Sequence, residues 1–112
     1  MKFSGDARLD FEKWFENQDH VIMRDDKLML GEVEYKQLPN FILYSCYREW
    51  LRSVGIYTGR NDTISWWLCT GSDFLEDGQS IDIRFKREVS TLEMAMKIYN
   101  RQSEYNRKSH LN

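Results

Sequence analysis

The chain has 112 residues, of which 41% are hydrophobic, 14% aromatic and 30% charged, a composition that excludes intrinsic disorder and predicts one globular domain over residues 1–112. Its formal net charge of −2 excludes a uniformly basic nucleic-acid-binding protein. No apolar run approaches the ~18 residues of a membrane span, and Cys46 and Cys69 do not form a disulfide framework, so we expect an intracellular, cytoplasmic protein.

The first predicted element is an amphipathic helix. It begins at Asp6, a favourable N-cap residue, and fades after residue 16. Its apolar face contains Ala7, Phe11, Trp14 and Phe15. Two short apolar runs follow at residues 21–23 and 28–30, and they predict a hairpin with its turn at Asp25–Asp26. A helix over residues 20–36 is the alternative, because Met and Leu do not favour strands strongly.

The second helix is predicted to begin at Pro39–Asn40, since the fixed φ of proline suits a first turn. It ends at Gly55, and apolar residues recur at helical spacing around much of its circumference. Beyond it, residues 56–58 predict a short strand and residues 59–62 a turn. Residues 63–70 and 79–87 predict two further strands joined by a loop.

The last helix opens with a capping box, in which Ser90 caps the first turn and Glu93 reaches back to it. The tail from residue 106 to 112 is expected to fray. Short connections between the strands imply antiparallel pairing. The predicted fold class is therefore α+β, an antiparallel sheet with three helices packed mainly on one face.

Trp67 departs from the usual arrangement, in which apolar side chains lie in the core and polar side chains lie on the surface. Alternation within residues 63–70 turns Trp67 away from the core, and alternation within residues 81–86 turns Arg84 and Lys86 the same way. The opposite, core face of the first strand receives Ile64, Trp66 and Leu68. Two structural alternatives remain: another element covers Trp67, or Arg84 lies over its ring as an intramolecular cation–π pair.

The sequence contains no motif for catalysis, a cofactor or a metal. The two histidines, His20 and His110, have no sequence relation to Cys46 or Cys69 that would indicate a nucleophile and base. Acidic residues in the loop at 73–77 lack the spacing of a calcium site. Because paired carboxylates in this loop could act in acid–base catalysis, a small enzyme is a third hypothesis. It ranks after the two binding functions described next.

The leading hypothesis is a non-enzymatic protein-binding module. Its contact surface would be Trp67, Arg84 and Lys86, with the acidic loop Asp73, Glu76 and Asp77 as a second surface. The alternative is a single-stranded nucleic-acid-binding protein, in which bases stack on Trp67 and cations track the phosphates. That platform would comprise Trp67, Arg84, Lys86, Arg87 and Arg101. An exposed sheet edge would also permit a homodimer.

Two segments of the N-terminal half resemble a known group of proteins. Residues 7–15 (ARLDFEKWF) and residues 44–51 (YSCYREWL) look like the Trp-bearing helices of small accessory proteins of tailed bacteriophages. The second segment departs from the commoner pattern of two closely spaced tryptophans. The resemblance covers about 45 residues by their numbering and implies an intracellular phage protein that binds and inhibits a host component, such as a defence protein. The resemblance identifies no catalytic residues in this chain.

Overall fold

The computed structural model describes residues 1–61, 65–75 and 78–110. The described residues form three helices, α1, α2 and α3, and six strands, β1 to β6. In chain order they are α1 (Gly5–Glu16), β1 (Val21–Arg24), β2 (Lys27–Leu30), β3 (Val33–Glu34), α2 (Asn40–Ser53), β4 (Ile56–Asn61), β5 (Ser65–Thr70), β6 (Asp82–Phe85) and α3 (Glu88–His110). A 3₁₀ turn, Tyr35–Gln37, joins β3 to α2.

The α+β class is confirmed, but the strands form two sheets rather than one. Within the described residues, β1, β2 and β3 pair in chain order, and so do β4, β5 and β6, with all pairings antiparallel. Helices α2 and α3 pack against the second sheet, whereas α1 packs against the other two helices and β1. In each sheet, consecutive strands pair through short connections, and α2 lies between the two sets in the chain.

The N-terminal hairpin is confirmed, and its turn explains why. Asp25 and Asp26 both have positive φ, 52° and 64°, as the tight turn of a two-residue hairpin requires. Aspartate tolerates this left-handed conformation better than most residues. The register that follows pairs Arg24 with Lys27 and Val21 with Leu30.

Aromatic rings from the N-terminus, α1 and α2 form the centre of the core. Phe11 is fully buried and contacts six rings, those of Phe3, Trp14, Phe15, Tyr35, Tyr47 and Trp50. Phe3 stacks on Tyr47 at 3.6 Å between ring centroids, and its backbone N–H donates to the Tyr47 hydroxyl. Leu92 and Ala95 of α3 and Leu68 of β5 are also fully buried in this core. The predicted apolar faces of the helices therefore meet one another.

The predicted start of the first helix is corrected by one residue. The helix begins at Gly5 after Ser4, and Asp6 lies inside its first turn, where it accepts a hydrogen bond from Ser103 and pairs with Arg107. The free N–H of Ala7 donates to the side-chain oxygen of Asn100 at 2.7 Å. A side chain of α3 thus caps α1. Because Asn100 is distant in sequence, the residues around the start of α1 could not have predicted this cap.

The capping box predicted at Ser90 and Glu93 is wrong, because α3 begins earlier, at Glu88. Thr91 instead donates its hydroxyl to the carbonyl of Arg87, one turn back. At its other end α3 is helical to His110, four residues beyond the predicted start of the frayed tail at 106. Fraying of those turns in solution stays a prediction.

Two strand boundaries also differ from the prediction. Residues 59–61, predicted as part of a turn, extend β4, because Gly59 pairs with Trp67 and Arg60 with Trp66 across the sheet. Cross-strand pairing here outweighs the turn preference of glycine and asparagine. Strand β6 covers only residues 82–85 of the predicted 79–87, so Lys86 lies just beyond it.

Alkaline pH should destabilise the fold through its tyrosines. Burial raises the pKa of Tyr35, Tyr47 and Tyr99, and the Asp10 carboxylate that accepts the Tyr99 hydroxyl at 2.5 Å raises the pKa of Tyr99 further. The native state therefore holds these protons more tightly than the unfolded chain. Their stabilising contribution is complete below about pH 10, the ordinary tyrosine pKa, and is lost as the pH rises beyond it.

The measurement is the free energy of unfolding by urea from neutral pH upward, with tyrosinate absorbance as a second signal. A Tyr99→Phe variant should lose stability less steeply above about pH 10, since one coupled ionisation is removed. Parallel curves for the two proteins would contradict the contribution of Tyr99.

Candidate binding surface on the second sheet

The two faces of the second sheet differ as the alternation in the sequence predicts. Leu68 and Thr70 of β5 are buried, whereas Trp66, also predicted on this core face, is only partly buried. Trp67 points to the opposite, outer face and is partly exposed. Its cross-strand neighbours are Gly59 on β4 and Arg84 on β6. Ile64, predicted on the core face, lies outside the described residues.

The indole of Trp67 lies directly against Gly59. A Cβ atom built on Gly59 would be 2.3 Å from Cζ2 and 2.6 Å from Cε2 of the ring, closer than atoms can approach. A glycine within a strand ordinarily weakens it, and a common reason for its presence is the close approach of another group. Here the missing side chain lets the indole pack across β4, and this contact holds the ring in one orientation on the outer face.

The cations predicted beside Trp67 are present, but one is neutralised. Arg84 pairs with Asp82 at 2.7 Å, and both side chains are more than half exposed. Lys86, just beyond β6, is exposed. The cation over an indole ring is instead Arg48 of α2, whose guanidinium carbon is 5.6 Å from the centroid of Trp66.

Neither structural alternative for Trp67 describes the molecule. Trp67 is only partly buried, so no described element encloses the ring as core. Arg84 binds the Asp82 carboxylate. The outer face therefore carries an indole that packs across Gly59 and is partly exposed.

A groove beside this face was not predicted. It has a volume of about 570 Å³ and lies between α2 and the edge strand β4. Its lining consists of Arg48, Glu49, Arg52, Tyr57, Thr58, Trp67 and Cys69. We call it the α2–β4 groove. The four-residue spacing of Arg48 and Arg52 on one helix was the available sequence signal, but their proximity to Trp67 depends on how α2 packs.

Thr58 stands out in the lining of the α2–β4 groove. Its hydroxyl oxygen is closed to water and, among the described residues, has no hydrogen-bond partner. Buried polar atoms are nearly always paired, so a lone one calls for an explanation. The cross-strand partner of Thr58 is Leu68, so the Thr58 side chain lies on the core face of the sheet, opposite Trp67.

The other predicted site residues are not gathered around Trp67. Asp73 is exposed and lies near the end of α2, while Glu76 and Asp77 lie outside the described residues. Arg101 is exposed on α3, which packs on the opposite face of the sheet from Trp67. Arg87 is exposed immediately before α3. The nucleic-acid platform that the sequence suggested is therefore divided between two sides of the molecule.

Three features of the described residues bear on catalysis. These residues contain no group of three or more His, Cys, Asp or Glu residues able to hold a metal ion. Burial raises the pKa of the Cys46 thiol, and the nearby Glu49 carboxylate raises it further, which disfavours the reactive thiolate. His20 is exposed between α1 and β1, and the side chain of His110 lies outside the described part of the chain.

Comparison with known proteins found no matching family model, no similar curated protein and no similar solved structure. In the part of the chain that the structure describes, no helix has the length and apolar character needed to cross a membrane.

Proposed function

We propose that this protein is a non-enzymatic protein-binding module and that the outer face of the second sheet, centred on Trp67, is its contact surface. The observation that carries the proposal is the indole on the outer face, which packs across Gly59 and remains partly exposed. A ring already fixed in place loses little conformational entropy on binding, which favours affinity. Tryptophan is also among the residues most enriched in interface hot spots.

The charges around Trp67 favour a protein over a nucleic acid as the partner. Arg84 is paired with Asp82, and Arg48 is paired with Glu88 at 2.8 Å. Nucleic-acid affinity depends on cations that replace the counterions of the phosphates. A surface of balanced charge with an aromatic centre matches the composition of protein–protein interfaces better.

The resemblance of the N-terminal half to accessory proteins of tailed bacteriophages extends the proposal to the partner. The partner would be a protein of the host cell, which the module inhibits or modulates in the cytoplasm. The unpaired thiols of Cys46 and Cys69 support a reducing compartment. The exposed Asp73 remains a second candidate contact, and homodimerisation through a free sheet edge remains a prediction.

Replacing Trp67 by alanine tests the proposal. Since the ring is only partly buried, we expect the fold to survive. Affinity for the partner should fall by about 2 kcal/mol or more, roughly thirtyfold in Kd, as for a hot-spot tryptophan. The partner is first isolated from bacterial lysate with the tagged protein, and affinities are then measured by calorimetry.

Phe41→Ala is the matched control, because Phe41 is 75% exposed on α2 and its truncation should leave binding unchanged. An Asp73→Asn variant measures the contribution of the acidic loop. If Trp67→Ala instead lowers stability by several kcal/mol, as a core truncation does, the ring is structural and the proposed surface is wrong. Salt-dependent binding of oligonucleotides that requires Trp67 would favour the nucleic-acid function instead.

A further inference from the structure

We infer that the partner protein adds an extended segment to the free edge of β4 as a fourth strand of the second sheet, and this inference rests on the proposed function. Strand β4 is an outer strand, since the order of the sheet is β4–β5–β6. The outer strand of a sheet carries a row of backbone donors and acceptors with which another extended chain can pair.

The hydrogen bonds of the second sheet determine which way the backbone of β4 points. The N–H of Gly71 donates to the carbonyl of Gly55 at 2.9 Å, so these two residues form a hydrogen-bonded pair. Hydrogen-bonded pairs alternate along an antiparallel ladder, so Tyr57 and Gly59 also direct their backbone groups toward β5. Thr58, which lies between them, therefore directs its backbone N–H and C=O toward the free edge.

The backbone of Thr58 is available to a partner. Among the residues that the structure describes, its N–H and C=O have no hydrogen-bond partner. Thr58 lines the α2–β4 groove although its hydroxyl is closed to water, so the groove runs along this open backbone edge. An extended chain is the occupant that fits, because it presents a donor and an acceptor together at the spacing of the strand.

The other outer strands within the described residues are shorter. Strands β1 and β6 have four residues each and β3 has two, against six in β4. The edge of β1 is also partly used, since the N–H of Val21 donates to the carbonyl of Gln18 at 3.2 Å. Strand β4 therefore offers the longest edge for an added strand.

Side chains beside β4 would contact the added strand. The indole of Trp67 lies across Gly59 and so reaches the edge, where an apolar side chain of the added strand would pack on it. Helix α2, which packs against β4, supplies Arg48, Glu49 and Arg52 to the groove lining. These α2 residues carry both signs of charge, so recognition depends on the backbone and the indole rather than on a charged partner.

A single extended segment fits this edge better than a second copy of the chain. Pairing of two β4 strands would bring α2 of each copy to the same junction, where side chains of one α2 already line the groove. An extended segment needs only the space of one strand, and the groove provides about 570 Å³ beside β4.

The test is selection of binders from a surface-displayed library of random peptides against the immobilised protein, followed by N-methylation of each residue of the best peptide in turn. Successive residues of a strand point their N–H groups to opposite sides. N-methylation should therefore weaken binding at least about tenfold at alternate positions within the paired segment and scarcely at the positions between them. Trp67→Ala should weaken the unmodified peptide roughly thirtyfold, and Phe41→Ala should leave its affinity unchanged.

Hydrogen exchange of the protein amides gives a second measurement. The Thr58 amide should exchange more slowly once the peptide is bound, because its N–H becomes part of the ladder. The amide of Tyr57 is the internal control, since it already points to Cys69 in the free protein and should change little.

Binding that requires Trp67 but shows no alternation on N-methylation, or leaves exchange at Thr58 unchanged, would overturn this inference and leave the proposed function standing. A selection that enriches no peptide would also overturn the inference alone, because the host partner isolated from lysate tests the proposed function separately. Slower exchange at Thr58 that depends on protein concentration without peptide would place a second copy on this edge and overturn the inference. Peptides indifferent to Trp67→Ala would overturn both.

Discussion

Replacing Phe11 by alanine should lower the free energy of unfolding by about 3–5 kcal/mol, the largest effect on stability that we expect for one substitution. Phe11 is fully buried on α1 and contacts rings from the N-terminal segment, its own helix, the 3₁₀ turn and α2. Its removal would leave a cavity that so many inflexible neighbours cannot fill. A domain stable by about 5–15 kcal/mol would lose a large share of its stability.

Urea unfolding followed by circular dichroism gives this measurement. Leu9→Ala is the control on the same helix, since Leu9 is 50% exposed and alanine is a good helix former. The control should change stability by no more than about 0.5 kcal/mol. A Phe11→Ala protein that loses no more than the control would contradict the aromatic core.

Replacing Gly59 by alanine should abolish partner binding although Trp67 remains in the chain. The added Cβ would collide with the indole at 2.3 Å, and the backbone of a paired strand cannot yield by so much. The ring must rotate off β4, where it both loses its binding position and obstructs the surface. We expect a loss of affinity at least as large as the roughly thirtyfold for Trp67→Ala, with about 1–3 kcal/mol lost in stability.

Gly71→Ala is the matched control, because a Cβ there would meet only ordinary contacts, 3.8 Å from Tyr57 and 3.9 Å from Gly55. Calorimetry gives both affinities, and the chemical shift of the Trp67 indole N–H reports whether the ring has moved. Unchanged binding with an unchanged ring environment would refute the packing of Trp67 on Gly59 and, with it, the preorganised surface.

Side-chain parity in β5 is the part of the candidate site that could be predicted from the sequence. Consecutive residues of a strand point to opposite faces, so Leu68 and Trp67 had to separate. The same reasoning placed Arg84 beside Trp67, and the register confirms that they are cross-strand partners. The pairing of Arg84 with Asp82 was beyond prediction, since it depends on side-chain rotamers at the surface.

The α2–β4 groove shows what local patterns do not contain. Arg52 and Thr58 belong to different elements, and only the packing of α2 on β4 brings them into the lining of one groove. The role of Gly59 was hidden for a similar reason. Glycine favours turns, and its pairing with Trp67 became evident only from the register of the sheet.

The sequence by itself determined the α+β class, the N-terminal hairpin with its Asp25–Asp26 turn, the course of α2 and the outward direction of Trp67. Each depends on periodicity or turn chemistry within a few neighbouring residues. Tertiary structure alone decided the division into two sheets, the capping of Ala7 by Asn100 from 93 residues away, and the groove beside Trp67. These features arise from contacts between distant segments, whose free energy depends on the packing of the whole chain rather than on any local pattern.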